Sequence, residues 1–548
     1  MGTTRVRRVR AWAGAGIAGL ATLILGMTLI PAAAAVDRRP EFVIASIGDS
    51  YAAGEGTPIR AGSFNAEGIL QSGGSEEAWG GFAGLGSTYD FAGDTAADLC
   101  HRSRNAGAAV AAKTLQDRYP GIHVVFRSFA CSGATIPSGL IGPYGGADAA
   151  LAVSRPDQLP QIQQLDSFIA GRANRNLDAL VVGIGGNDLG FAGIVAMCLL
   201  PHERAAVLGA GLGTVVSFAL GGPILGYSFA PTAAILGGIA GNALAGCDGW
   251  GIETTVLDVL IPNVQDAYAD LDQAIGGTRA GPANVRLRFT PDEVYLTEYP
   301  DPTHDENGAF CDGTGFPDGE VYANITRDEA RWVFEEALAR INAAVRDGAT
   351  AQGWTYVGGI QNAFRRHGVC STSSWFNQNN ASLRRQGADL LVGYPLLIPS
   401  QVASRIFTAS VFGRHLSGGV AHPSVDGQAE YGRRIFTRLE QQLLGRFGIT
   451  VAPVLTVARY HSSPPSPQDA YKLRLTWTAA GIAAPILRWE VRNGKLATAR
   501  RPISIPQPAG GATPSYVHTG VGSYTFTVRA CGHVGCGPWS APVRREVP

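Results

Sequence analysis

Lysine is almost missing from this chain of 548 residues: Lys113, Lys472 and Lys495 are the whole complement, and arginine carries nearly all the positive charge. A net charge is missing too. The 44 Lys+Arg balance 44 Asp+Glu, so bulk charge offers no means of holding nucleic acid or an anionic membrane. The cysteines lack the close-set Cys/His spacing of a zinc site, and neither a metal nor a cofactor is expected. Only 16% of residues are charged and 45% are hydrophobic, which excludes a disordered chain and describes a globular one. A chain of this length exceeds one hydrophobic core, so two or more domains are expected.

What is present begins at the N-terminus. Arg5, Arg7, Arg8 and Arg10 precede an apolar run from Ala11 to Ile30, and Pro31 leads into Ala32-Ala33-Ala34-Ala35. Those are the three parts of a secretory signal, residues 1–35, with cleavage after Ala35, and they imply an extracellular, secreted protein. Export makes the eight cysteines disulfide formers. Sequence alone leaves many pairings open. The simplest joins neighbours: Cys100–Cys131, Cys198–Cys247, Cys311–Cys370 and Cys531–Cys536, each loop then lying inside one structural segment.

Residues 40–448 read as alternating strands and helices. Phe42 to Ile47 and Ala179 to Ile184 are short apolar runs suited to buried parallel strands, and His123 to Phe129 reads as a third. Ala108 to Tyr119 and Gln158 to Ile169 read as helices. The capping box Thr326-Arg327-Asp328-Glu329 opens another, with Val333, Ala337, Leu338, Ile341 and Val345 on one face and Gly348 expected at its end. This alternation argues for a parallel sheet between helices. Residues 455–548 instead alternate in period two between Pro/Gly/Ser-rich turns, as a small all-β sandwich does. Through Trp477, the strand Tyr524 to Ala530 and the closing Gly537-Pro538-Trp539-Ser540, this segment resembles a fibronectin type III module; Cys531 and Cys536 depart from that pattern. It reads first as a spacer or packing module. The stretch 204–247 holds no charge beyond Arg204 and reads as a buried helical insertion or as a lipid-facing lid. Gly and Pro interrupt it too often for a membrane span.

Four short blocks carry the chemistry. Ser50 follows the first strand in Gly48-Asp49-Ser50-Tyr51, where open α/β sheets place their ligands; its alternative role is to cap the next helix. Gly133, in Ala130-Cys131-Ser132-Gly133-Ala134-Thr135, follows the His123 strand. Asn187, in Gly185-Gly186-Asn187-Asp188, follows the Ala179 strand, and His422-Pro423-Ser424 opens a late helix. Together these blocks resemble those of the SGNH (GDSL-type) hydrolase superfamily over about Glu41 to Phe447. The finer pattern resembles its secreted actinobacterial esterase and lipase branch, through Cys100-His101-Arg102-Ser103, Tyr299-Pro300-Asp301-Pro302 and Phe364 to Cys370. The resemblance implies a flavodoxin-like three-layer α/β sandwich, three sequential disulfides and a carboxylic ester substrate, a lipid among the candidates.

In that reading Ser50 is the nucleophile and His422 its general base. The Ser50 and Gly133 backbone N–H groups and the Asn187 amide surround the oxyanion. One departure stands out. The position three before the histidine, where full triads carry Asp, is Gly419. A Ser50–His422 dyad is therefore expected, with the Gly419 carbonyl as the group that orients the histidine and Asp426 serving the helix start. His101, His367 and His415 read as structural or surface groups. His304 stands beside Asp301 and Asp305 but lacks helical ligand spacing, so it is not read as a metal ligand. A monomer with at most transient contact with a lipid interface is expected. The rival readings are a polysaccharide acetyl esterase whose β-module holds the polymer, and a non-catalytic surface-binding protein.

Overall fold

A computed structural model describes residues 39–57, 63–64, 70–71, 100–145, 158–190, 251–278, 285–313, 325–378, 419, 421–462, 464–494, 502–508 and 514–547. The 1–35 segment, the stretch 204–247, the Cys198–Cys247 pair and His415 lie outside these residues. Strands β1 (Glu41–Gly48), β2 (His123–Ser128), β3 (Ala179–Gly183), β4 (Glu293–Thr297) and β5 (Thr355–Val357) form one sheet in the order β2-β1-β3-β4-β5. Every pairing in it is parallel. This is the flavodoxin-like doubly wound order, whose ligand crevice opens beyond the carboxyl ends of β1 and β3.

The apolar run of β1 follows from burial on both faces. Val43, Ala45 and Ile47 join a core with Ile162 and Leu165 of α3 (Gln161–Ala170) and Tyr268 and Leu271 of α4 (Gly251–Ile275). Phe42 and Ile44 face the other way, toward Ala112 and Leu115 of α2 (Gly107–Arg118) and toward the last helix, Val425–Phe447. That helix buries Tyr431, Ile435, Leu439, Leu443 and Phe447, a strict four-residue stripe. Each such side chain contributes about 1.5–3 kcal/mol on leaving water. The result is three layers, helix on sheet on helix.

Two expectations shift on contact with the fold. The helix expected from Gln158 starts at Gln161, because Pro160 takes the cap position and Gln158 pairs with Tyr144 instead. The capping box at Thr326 and Glu329 forms, opening α5 (Arg327–Trp332), which runs through a π-helical turn into α6 (Ala339–Ala351). Gly348 does not end this helix. It lies inside α6, where a Cβ would come 2.5 Å from the Tyr268 ring, so glycine serves close helix packing there. The helix ends one turn later, and Gly353 at φ +71° takes the left-handed position.

The C-terminal residues form two antiparallel sheets. β6 (Val454–Arg459), β7 (Lys472–Thr478) and β10 (Ser515–Thr519) make one, in the order β10-β7-β6. β8 (Arg488–Gly494), β9 (Ile503–Pro506), β11 (Gly522–Gly532) and β12 (Gly535–Cys536) make the other, in the order β9-β8-β11-β12, and β13 (Val543–Val547) also pairs with β11. Leu475 and Trp477 from the first meet Trp489, Val491, Phe526 and Val528 from the second, so period-two alternation becomes a sandwich core. The hairpin between β11 and β12 is closed by Cys531–Cys536. At its tip Val534 packs against the core beneath α2, and His533 Nδ1 lies 3.1 Å from the Gly121 carbonyl oxygen. Among the described residues no helix is long and apolar enough to cross a membrane.

Candidate active site

The end of β1 is held in place before any chemistry is considered. Gly48 sits at φ +145°, and a Cβ there would come 2.1 Å from the Gly183 carbonyl oxygen, so only glycine lets β1 and β3 close up at their carboxyl ends. The Gln161 side chain grips Gly48 twice, accepting its N–H at 2.8 Å and donating to its carbonyl at 2.9 Å. The chain then turns into α1 (Ser50–Ala53). Asp49, not Ser50, caps this helix: its Oδ1 accepts the Tyr51 N–H at 2.9 Å. Ser50 is left with its hydroxyl uncommitted to capping.

Across the crevice His422 brings Nε2 to 2.7 Å from Ser50 Oγ. Its loop is built by the following helix α8, the Val425–Phe447 element, whose N-cap Ser424 accepts the Gly427 N–H. (The short α7, Ile360–Phe364, precedes it in the chain.) Ala421 adopts φ +63°, an uncommon conformation for a residue with a Cβ. The surroundings impose it: Asn377 donates its backbone N–H to the His422 carbonyl and accepts the Ala421 N–H, and Tyr51 Oη donates to the Ala421 carbonyl. The Tyr51 ring lies 4.9 Å from the imidazole, centre to centre. The Gly419 carbonyl accepts the His422 backbone N–H at 3.1 Å. Asp426 sits exposed in the first turn of α8, on the solvent side of the helix start.

Gly133 and Asn187 meet the same crevice. Gly133 takes φ +83°, and a Cβ there would come 2.3 Å from Tyr144 Oη. Among the described residues, neither the Ser50 nor the Gly133 backbone N–H donates to a protein acceptor. Asn187 Nδ2 donates to the Ala134 carbonyl at 2.9 Å, which uses one of its two hydrogens and ties the amide to the Gly133 loop. The Cys100–Cys131 disulfide fastens that loop from behind, and Cys311–Cys370 closes the segment that ends near Asn377.

Sequence reasoning passed over a buried cluster beneath these residues. Glu55 donates its N–H to the Ser50 carbonyl at 3.0 Å, and its Oε2 contacts His101 Nδ1 at 2.6 Å and accepts from Ser132 Oγ. Burial pushes the Glu55 carboxyl up, but the nearby charge and hydrogen bond of His101, the charge of His422 and the Ser132 hydroxyl together hold it below the usual range. The signal was present in part, since His101 lies in the Cys100 to Ser103 block and Ser132 in the Ala130 to Thr135 block, while Glu55 stands five residues after Ser50. Two other carboxyls move the opposite way. Burial lifts Asp49 to about 6, against the lowering effect of its Tyr299 hydrogen bond. Burial lifts Asp188 to about 7, aided by the charge of Asp49 and opposed by the Ile136 N–H that it accepts.

His304 and His367 are held by packing and hydrogen bonds. His304 Nδ1 lies 2.7 Å from Asp301 Oδ2 in a buried pocket between the Phe310 and Phe334 rings. Asp305 spends its Oδ1 on the Asn307 and Ala309 N–H groups. His367 stacks on Trp375 at 3.7 Å. Among the described residues one group, Glu490 with Cys531 and Cys536, has metal-ligand proximity, and both of its cysteines are in a disulfide.

No family model and no curated protein matches the chain. Several solved structures are similar to it. One is a Corynascus thermopiles (Myceliophthora fergusii) carbohydrate esterase family 2 enzyme plus carbohydrate binding domain, 12% identical over 74% of this chain and 67% of that one, with a TM-score of 0.26. Another is a carbohydrate acetylesterase from Sinorhizobium meliloti, 10% identical over 73% of this chain and 99% of its own, with a TM-score of 0.23. A myokine structure is 20% identical over 18% of this chain and 98% of its own, with a TM-score of 0.15.

Proposed function

We propose that this chain is a serine-dependent carboxylic ester hydrolase. One observation carries the reading: a serine hydroxyl and an imidazole nitrogen 2.7 Å apart, at the switch point of a doubly wound sheet. Ser50 Oγ attacks the ester carbonyl while His422 Nε2 takes its proton. The Ser50 and Gly133 N–H groups and the Asn187 amide receive the charge that develops on the carbonyl oxygen. His422 returns the proton to the leaving alcohol, and a water molecule releases the acyl group from Ser50 by the same steps in reverse. With glycine at 419, the Gly419 carbonyl orients the histidine. The buried Glu55 supplies negative charge within reach of the imidazolium.

Lipid esters are the first substrate reading, supported by the stretch 204–247, which holds no charge beyond Arg204. Acetylated polysaccharide is the second. The β-module gives that alternative little help, because His533 meets Gly121, which precedes β2 at the amino end of the sheet, the end opposite Ser50. A polymer held there would lie roughly 20 Å, a strand's length, from the nucleophile. We take residues 40–448 as the catalytic domain and 455–548 as a fibronectin type III-like packing module of a secreted monomer, in keeping with the three disulfides among the described residues.

A fluorophosphonate probe should label the wild type and not Ser50→Ala. An unlabelled wild type would leave the non-catalytic reading standing. A chain-length series of p-nitrophenyl esters then separates the substrates: turnover confined to acetate removes the lipid reading, and turnover of octanoate or longer removes the acetyl one.

A further inference from the structure

We propose that Tyr299 is a positioning residue that holds the nucleophile's turn and the oxyanion amide at a fixed separation. The inference rests on the roles given above to Ser50 and Asn187. Tyr299 comes two residues after β4, the strand that neighbours β3. Its backbone is clamped by one side chain: Asn342 Oδ1 accepts the Tyr299 N–H at 2.9 Å, and Asn342 Nδ2 donates to its carbonyl at 3.0 Å. Its ring is buried. The Tyr51 ring meets it edge-on at 5.1 Å, and the Gly186 backbone lies so close that a Cβ there would come 2.8 Å from the phenol carbon.

The hydroxyl so placed makes two bonds of opposite sense. Tyr299 Oη donates to Asp49 Oδ2 at 2.6 Å and accepts the Gly186 N–H at 2.8 Å. Each partner is one residue from a proposed functional group. Asp49 precedes Ser50 and, through its other oxygen, sets the start of α1. Gly186 precedes Asn187. A single oxygen therefore spans the loops after β1 and β3, and the Tyr51 ring carries the contact on to His422. Oxyanion donors act by being in place before charge develops, so a bridge between nucleophile and donor serves the transition state rather than substrate binding.

The experiment is a double-mutant cycle on the full chain with a soluble p-nitrophenyl ester. Tyr299→Phe keeps the ring and the Asn342 clamp and deletes the bridging oxygen. It should lower kcat about tenfold, the scale of one hydrogen bond, with KM unchanged. In an Asn187→Ala background the same change should cost less than about twofold, because the amide it positions is gone. Wild-type kcat in Tyr299→Phe overturns the inference, and so does full additivity with Asn187→Ala. Should Tyr299→Phe fail to fold, Asp49→Asn enters the same cycle from the other end of the bridge, with the same two outcomes deciding. A wild type with neither turnover nor Ser50 labelling sinks the esterase reading instead, so the two failures are distinct.

Discussion

Asp188 offers a measurement in which the buried carboxyls of the site report on themselves. Its Oδ1 accepts the Ile136 N–H at 2.9 Å, while its buried Oδ2 meets no hydrogen-bond partner among the described residues. Asp49 and the Tyr268 hydroxyl face it from the loop after β1 and from α4. Burial lifts this carboxyl from 3.8 to about 7 in the folded chain. Between those values the folded protein binds a proton that the unfolded chain has released, so stability falls as pH rises through the window. Ionising Asp188 between pH 4.5 and pH 8 therefore costs about 3 kcal/mol. Asp188→Asn keeps the acceptor for Ile136 and removes the ionisation. Its unfolding free energy relative to wild type should improve by about 3 kcal/mol on going from pH 4.5 to pH 8, whatever its offset at either pH. Urea unfolding of both proteins at the two pH values reads this directly. A difference between the proteins that does not change with pH refutes the reasoning, because the shifted proton would then not belong to Asp188.

The other expectations concern turnover and docking. Asn187→Ala should lower kcat about 10²- to 10³-fold with KM little changed, as loss of one oxyanion donor does; a change confined to KM would place Asn187 in binding only. Gly133→Ala forces a side chain into a backbone at φ +83° and against Tyr144 Oη, and should abolish most turnover. Adding Tyr144→Ala removes the clash but not the strained backbone, so only part of the rate should return. Val534→Asp puts a charge where the module's hairpin tip meets the α2 core, and should lower the melting temperature while kcat stays at the wild-type value. A large kcat loss in folded Val534→Asp would tie the module to catalysis.

The part of the site that was legible is the part written in contiguous residues. β1, its glycine and the serine after it occupy one short stretch, and the apolar runs of β1 and β3 announce strands buried on both faces. What was hidden lies across the chain. Asp49 and Tyr299 are 250 positions apart, Gly48 and Gln161 are 113 apart, and Ser50 and His422 are 372 apart. Periodicity carries no record of such pairs; the last was reached through motif resemblance alone. β4 and β5 gave no such signal, because β4 is bounded by Glu293 and Thr297 and β5 holds three residues, so neither shows the continuous apolar run that marks β1 and β3. Gly348 shows the same limit from the other side. Read locally, a glycine late in a helix is a terminator, whereas in the folded chain it is the gap that admits the Tyr268 ring. Tyr268 then reaches across to donate its hydroxyl to the Ile184 carbonyl, at the exit of β3 and three residues before Asn187. A glycine on a distant helix thus helps to set the loop that bears the proposed oxyanion amide. The chemistry is written in motifs, but its geometry is held by residues that no motif contains.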